Sequence, residues 1–252
     1  DTSDYDFNIT VLTIESEAKT WVNPCVAYNL GIKYATKEIV MLQNAEVMHV
    51  GDVLTFTARN MKPKHWLTFN CYGLNKQVTD ELQGGEVLTF DMVKNLPQNV
   101  GGNSVQNKDP SGWLNHHEKL FVAYHYCGAM LKVDLMSDMD GGFDPKFAQL
   151  VGGDDDHFVK KMIHLGFTFA IPSFEASNPF VAHLFHERRK AVNDWTQDMN
   201  DRVRYTMYTD FMQWGFSPEN NIHTAPREET PRGHIRLLTP VQSDKCGKVQ
   251  PT

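Results

Sequence analysis

The chain has no run of about eighteen uninterrupted apolar residues, which speaks against a conventional membrane-spanning helix. It has no block of Lys and Arg either. With 24 basic against 31 acidic side chains the net charge is −7, a field that repels phosphate backbones and anionic lipid, so nucleic acid is a poor partner. Cysteine is sparse: Cys25, Cys71, Cys127 and Cys246 stand far apart with no CxxC pair, so a structural zinc site of the usual spacing is absent. Two disulfides are permitted and not required. No GxSxG, Walker or GxGxxG motif occurs, leaving hydrolase, NTPase and dinucleotide readings without their signatures. The chain opens on Asp1, which fits a processed, exported form and equally a trimmed piece.

What is present, up to about Met136, reads as strands. "FNITVLTI", "EIVMLQNAEVMHV", "DVLTFTA", "HWLTFNCYG", "EVLTFDMV", "LFVAYHY" and "MLKVDLM" are rich in β-branched and aromatic residues, and several alternate at period two. Turn chemistry separates them, as in "NMKPK" and "LQGGE". Short strands at this spacing imply a sandwich or barrel over residues 1–136.

The stretch "SDMDGGFDPKFAQLVGGDDD", residues 137–156, has the composition of an acidic, Gly-rich linker. A helical extension and an extended tail then fill 157–252. "DDDHFVKKMIHLG" carries acids ahead of an apolar face of Phe158, Met162, Ile163 and Leu165, the charge order a helix N-terminus favours. Asn178-Pro179 reads as a cap and first helical residue for a longer helical region over 179–214, with an apolar stripe through Trp195, Met199, Val203, Met207 and Phe211. From Ser217 the tail holds prolines 218, 226, 231, 240 and 251 and reads as extended. Docking through this extension, onto a protein partner or a second copy, is the expectation that its stripe and tail suggest.

The stretch "GDVLTFTARNMKPKHWLTFN" resembles the cupredoxins, the blue-copper sandwich proteins, in which a strand entered after Gly-Asp is followed by Asn, a short loop and the first copper-binding histidine. Here those residues are Gly51, Asp52, Asn60 and His65. "LFVAYHYCGAMLKVDLM" is similar to that family's closing hairpin and supplies Cys127 and Met130. The resemblance implies a mainly β, cupredoxin-like antiparallel sandwich. It implies copper held by His65, Cys127 and Met130, with the family's second histidine missing after the cysteine and His125, His117 or His116 as substitutes. Blue copper needs two imidazoles and a thiolate with a weak axial thioether. An incomplete set implies a noncatalytic structural or interaction subunit with a degenerate copper site. An electron-transfer or copper-carrying protein is the alternative, and a secreted sandwich binding carbohydrate or protein through Trp66 and Trp113 is a third.

Two further patterns carry chemistry. Asp138, Asp140 and Asp144 have oxygen ligands spaced for calcium but lack an EF-hand's closing glutamate. "HLFHE" sets His183 and His186 one helical turn apart beside Glu187, a spacing that can chelate a metal.

Overall fold

The computed structural model describes residues 7–99, 111–114, 126–187, 197–214 and 235–238. Helix α1 (Cys25–Tyr34) leads into strands β1 (Ile39–Gln43) and β2 (Val47–Val50), then helix α2 (Val53–Asn60), strands β3 (His65–Thr68) and β4 (Cys71–Gly73), and helices α3 (Lys76–Gln83) and α4 (Phe90–Asn95). There follow β5 (Gly112–Trp113), β6 (Cys127–Leu131), α5 (Lys132–Ser137), α6 (Asp154–His164), β7 (Thr168–Pro172), β8 (Phe180–His183), α7 (Gln197–Gln213) and β9 (Ile235–Leu238).

This is a mixed α/β fold, and it overturns the mainly β, cupredoxin-like sandwich. Side-chain caps account for much of the difference. Asp52 accepts the N–H of Thr55 at 3.0 Å and starts α2 where "DVLTFTA" reads as a strand. Thr89 accepts the N–H of Met92 at 3.3 Å and starts α4 within "EVLTFDMV". Each cap satisfies an N–H that the first helical turn leaves without a partner. "FNITVLTI" belongs to no strand, and "KVDLMS" closes as α5.

The described strands form two sheets. The first has the order β1-β6-β3-β7-β9, with β3, β7 and β9 mutually parallel and β6 antiparallel to both β1 and β3. The second runs β2-β8-β4-β5, with β8 and β4 parallel. Strand alternation sorts the apolar side chains into layers. Trp66, Met130 and Phe169 leave one face of the first sheet and pack with Cys25, Ile32, Phe158 and Met162 of the helices. Leu67, Cys127 and Ala170 leave the other face and meet Val47, Cys71 and Val181 of the second sheet. Tyr72, Phe180 and Ala182 line the second sheet's outer side with Val78 and Val93 from α3 and α4. The order of layers is therefore helices, sheet, sheet, helices.

The C-terminal half is built into this core. Met139, Phe143 and Phe147, from the stretch that reads as a linker, belong to the same cluster as Trp66 and Phe158. The short helix expected after the three aspartates is α6. The long helical region expected over 179–214 is corrected in its first part: Phe180–His183 is β8, inside the second sheet, while Asn178 is buried and donates to the Ser173 carbonyl at 3.0 Å. Of the apolar stripe, Val203, Met207 and Phe211 are buried against the first sheet's helices; Trp195 and the side chain of Met199 lie outside the described residues. Gly153, at φ +85°, lets α7 approach, because a Cβ there falls 2.4 Å from Val203 Cγ1. Within the tail, Ile235–Leu238 pairs in parallel with β7. No helix of the described residues is long and apolar enough to cross a membrane.

Candidate metal centre

The copper set expected from the sequence does not converge. Backbone pairing sets Phe69 opposite Cys127, and the same register sets His65 opposite Leu131. Four residue steps along the strands separate the two, about 13 Å. Met130 points into the helix-side cluster and Cys127 into the layer between the sheets. His65 Nδ1 instead lies 2.9 Å from the Pro63 carbonyl, and the Cys127 thiol, pushed up to about 12 by burial, faces Met41 Sδ and Gln43 Oε1 at 3.8 Å each. His125, His117 and His116 lie outside the described residues. Trp66 and Trp113 are buried, so neither is an exposed binding aromatic. Cys25, Cys71 and Cys127 are free and buried, which removes disulfides among them.

The three aspartates of the possible calcium loop are also dispersed. Asp138 pairs with Lys64 at 2.5 Å, Asp140 with Lys161 at 2.6 Å and Asp144 with Lys146 at 3.1 Å.

Elsewhere, among the described residues, the fold collects two groups of side chains of metal-ligand type. Asp144, His157 and Asp210 meet where α6, α7 and the turn Pro145–Phe147 join, but Lys146 already ion-pairs with both carboxylates. His157 Nε2 lies 2.8 Å from Asp210 Oδ2. An ammonium occupies the position a metal ion would take, and the group is an ion-pair clamp.

The second group is Glu46, His183 and His186. Glu46 lies in the connection from β1 to β2, where its carbonyl accepts the Leu184 N–H at 2.9 Å and aligns the end of β8 beside it. His183 closes β8, opposite Val47. Beyond it the chain leaves the sheet, and Phe185 N–H donates to Thr79 Oγ1 on α3 at 2.9 Å. That departure from strand geometry brings the two imidazoles to one side, ring centres 5.3 Å apart, although strict alternation would turn them to opposite faces. Glu46 Oε1 lies 3.4 Å from His183 Nε2 and 3.6 Å from His186 Nε2, and the three donor atoms fall within 4.8 Å of one another. Ligand bonds of about 2.1 Å in a tetrahedral site place neighbouring donors roughly 3.4 Å apart. The geometry fits.

Electrostatics fit as well. A hydrogen bond from His183 holds the Glu46 carboxyl at about 2 against the opposing effect of burial, with further help from its own backbone and from His186, so it is ionised at neutral pH. His183 is buried, His186 is half exposed, and the ring of Tyr126 meets His183 edge-on at 5.6 Å. His183 Nδ1 has no hydrogen-bond partner among the described residues, so ring packing orients this imidazole in place of the usual carbonyl or carboxylate. His186 Nδ1 lies 3.2 Å from the Glu187 carbonyl. Two imidazoles and one carboxylate, with His186 half exposed to solvent, form a donor set of the kind that holds zinc.

A nucleophilic-cysteine centre has no such support. Cys25 begins α1, a position that ordinarily lowers a thiol pKa, yet burial, then the Asp154 charge, push it up to about 11.

In "HLFHE" the histidine pair was legible and its context was not: the helix is a strand end, and Glu187 contributes its carbonyl rather than its carboxylate. Glu46 has no signal in the sequence, because a lone acid in a turn between strands is ordinary. No protein-family model matches this chain, and no curated protein sequence matches it.

Proposed function

We propose that this chain binds one divalent transition-metal ion through Glu46, His183 and His186, zinc before others, in an open site of the kind that activates water. The observation that carries this reading is the pair of 3.4 and 3.6 Å separations around one ionised carboxylate oxygen. Three protein ligands with a fourth position facing solvent are the usual arrangement of catalytic rather than structural zinc, and such a centre supplies a bound water acidic enough to ionise near neutral pH. Non-haem iron(II) uses the same donors. Copper, the metal expected from the sequence, enters only as Cu²⁺ competing for these imidazoles, where the Irving–Williams order favours it in raw affinity. A role as an interaction subunit docking through the C-terminal extension draws little support from Val203, Met207 and Phe211, which the chain's own core covers.

Titration of the full chain with Zn²⁺ tests the reading. One equivalent should bind, and His186→Ala, at the half-exposed ligand, should weaken binding by more than the about tenfold to hundredfold typical of a lost second-shell contact. Glu46→Gln should do the same with the fold intact. Co²⁺ loading should give a tetrahedral visible spectrum, and Cu²⁺ loading should lack the intense blue of a thiolate site. Zinc affinity unchanged in both variants sinks the assignment.

A further inference from the structure

Strand β1 is an edge of the first sheet, and among the described residues no strand pairs with its outer side. Asn44 N–H donates to the Tyr126 carbonyl and Lys132 N–H to the Glu38 carbonyl, so the even-numbered residues of this stretch face β6. By alternation, Ile39 and Met41 turn their N–H and C=O groups the other way, where none of the described residues meets them. They open onto a groove of about 680 Å³ between the strand and α1, walled by Tyr28, Gly31 and Ile32 on one side and Val40, Met41 and Leu42 on the other. Exposed edges are ordinarily blunted by Lys, Pro or a bulge. The β1 sequence, Ile-Val-Met-Leu-Gln, has none of these.

The same chain carries an unused strand. From Asn8 to Ile14 no backbone group hydrogen-bonds another described residue, and Ile9, Val11 and Leu12 are exposed, Val11 by 73%. The sequence "NITVLTI" has the β-branched, alternating character of a strand. Glu15 and Glu17 follow it, and Lys33 and Lys37 stand exposed where α1 runs out toward the Ile39 end of the groove. An antiparallel arrangement brings those opposite charges together.

We infer that residues 8–14 of a second copy of this chain add as an antiparallel strand to the open edge of β1, each copy donating its segment to the other's groove. Backbone hydrogen bonds to Ile39 and Met41 supply register, and the groove takes the alternate apolar side chains, the general mode of strand addition. Reciprocal exchange closes a two-fold dimer.

Light scattering and sedimentation of the full chain test this, with two variants. Met41→Pro removes an outward N–H without touching the β6 ladder, and Val11→Asp puts a charge on the donated strand. The full chain should be a dimer, and each variant should weaken self-association by about tenfold or more with its circular dichroism unchanged. A monomeric full chain, or a dimer indifferent to both substitutions, overturns the proposal. A monomer in which hydrogen exchange shows the Met41 amide protected by the chain's own segment also overturns the second copy as occupant.

Discussion

Thr79 of α3 accepts the backbone N–H of Phe185 at 2.9 Å, on the short segment between the two histidines of the proposed centre. The bond fixes where the chain turns out of β8, and that turn is what puts both imidazoles on one side of Glu46. Thr79 is buried, so Thr79→Val keeps the volume and removes only the acceptor. The expected result is a loss of about 1 kcal/mol in stability, with a several-fold drop in zinc affinity read by titration. Stability lost with zinc binding intact separates the turn from the site.

The packing between Gly128 and Trp66 allows a sharper test. A Cβ at Gly128 falls 2.2 Å from Trp66 Cζ2, and the indole has no free space, being fully buried with its ring centre 5.7 Å from that of Phe158. Gly128 stands in β6 between β1 and β3, so the backbone cannot retreat without breaking a ladder. Gly128→Ala should cost about 3 kcal/mol, at the upper end of the usual overpacking range, measured by denaturant unfolding.

Acid should loosen α7. Burial lowers the proton affinity of His157, outweighing the opposing hydrogen bond to Asp210. Unfolded, the ring titrates near the ordinary value of about 6.5. The folded chain therefore binds this proton less readily than the unfolded one. Its stabilising share is complete above about pH 6.5 and is lost as pH falls through that value toward the lowered folded one. Asp210, where burial raises the carboxyl but Lys146 and His157 lower it further, acts with the same sign at more acidic pH. Melting temperature should fall between about pH 7 and pH 5, and the fall should shrink in His157→Gln without vanishing, since burial lowers His49 too. Trp214, whose ring centre lies 5.0 Å from that of His157, gives a local fluorescence readout.

How far the sequence carries the fold is visible in one repeated tetrapeptide. Val-Leu-Thr-Phe occurs at 53–56, where it is helical, and at 87–90, where only Phe90 is. Apolar content cannot separate the two; the cap position does, Asp52 ahead of the first and Thr89 inside the second. Strands with long-range partners on both sides, such as β3 and β4, were legible because their apolar runs match real layers. The parallel pairing of β3 with β7 and of β4 with β8 was not, since it joins segments about a hundred residues apart and leaves no local trace. A still longer separation in sequence hides Glu46 from the histidines it faces.

The stretch from His65 to Gly73 passes from one sheet into the other through Phe69 and Asn70, and Thr168 to His183 makes the same passage alongside it. Asn70 ties the two crossings together, donating to the Pro172 carbonyl at 2.5 Å and accepting the Val181 N–H at 2.9 Å. Neither sheet can fray alone, because the strands that would peel from one are the continuations of those seated in the other. Slow amide exchange should accordingly group β3, β4, β7 and β8 in a single foldon, opening at one free energy, with α3 and α4 free to open below it.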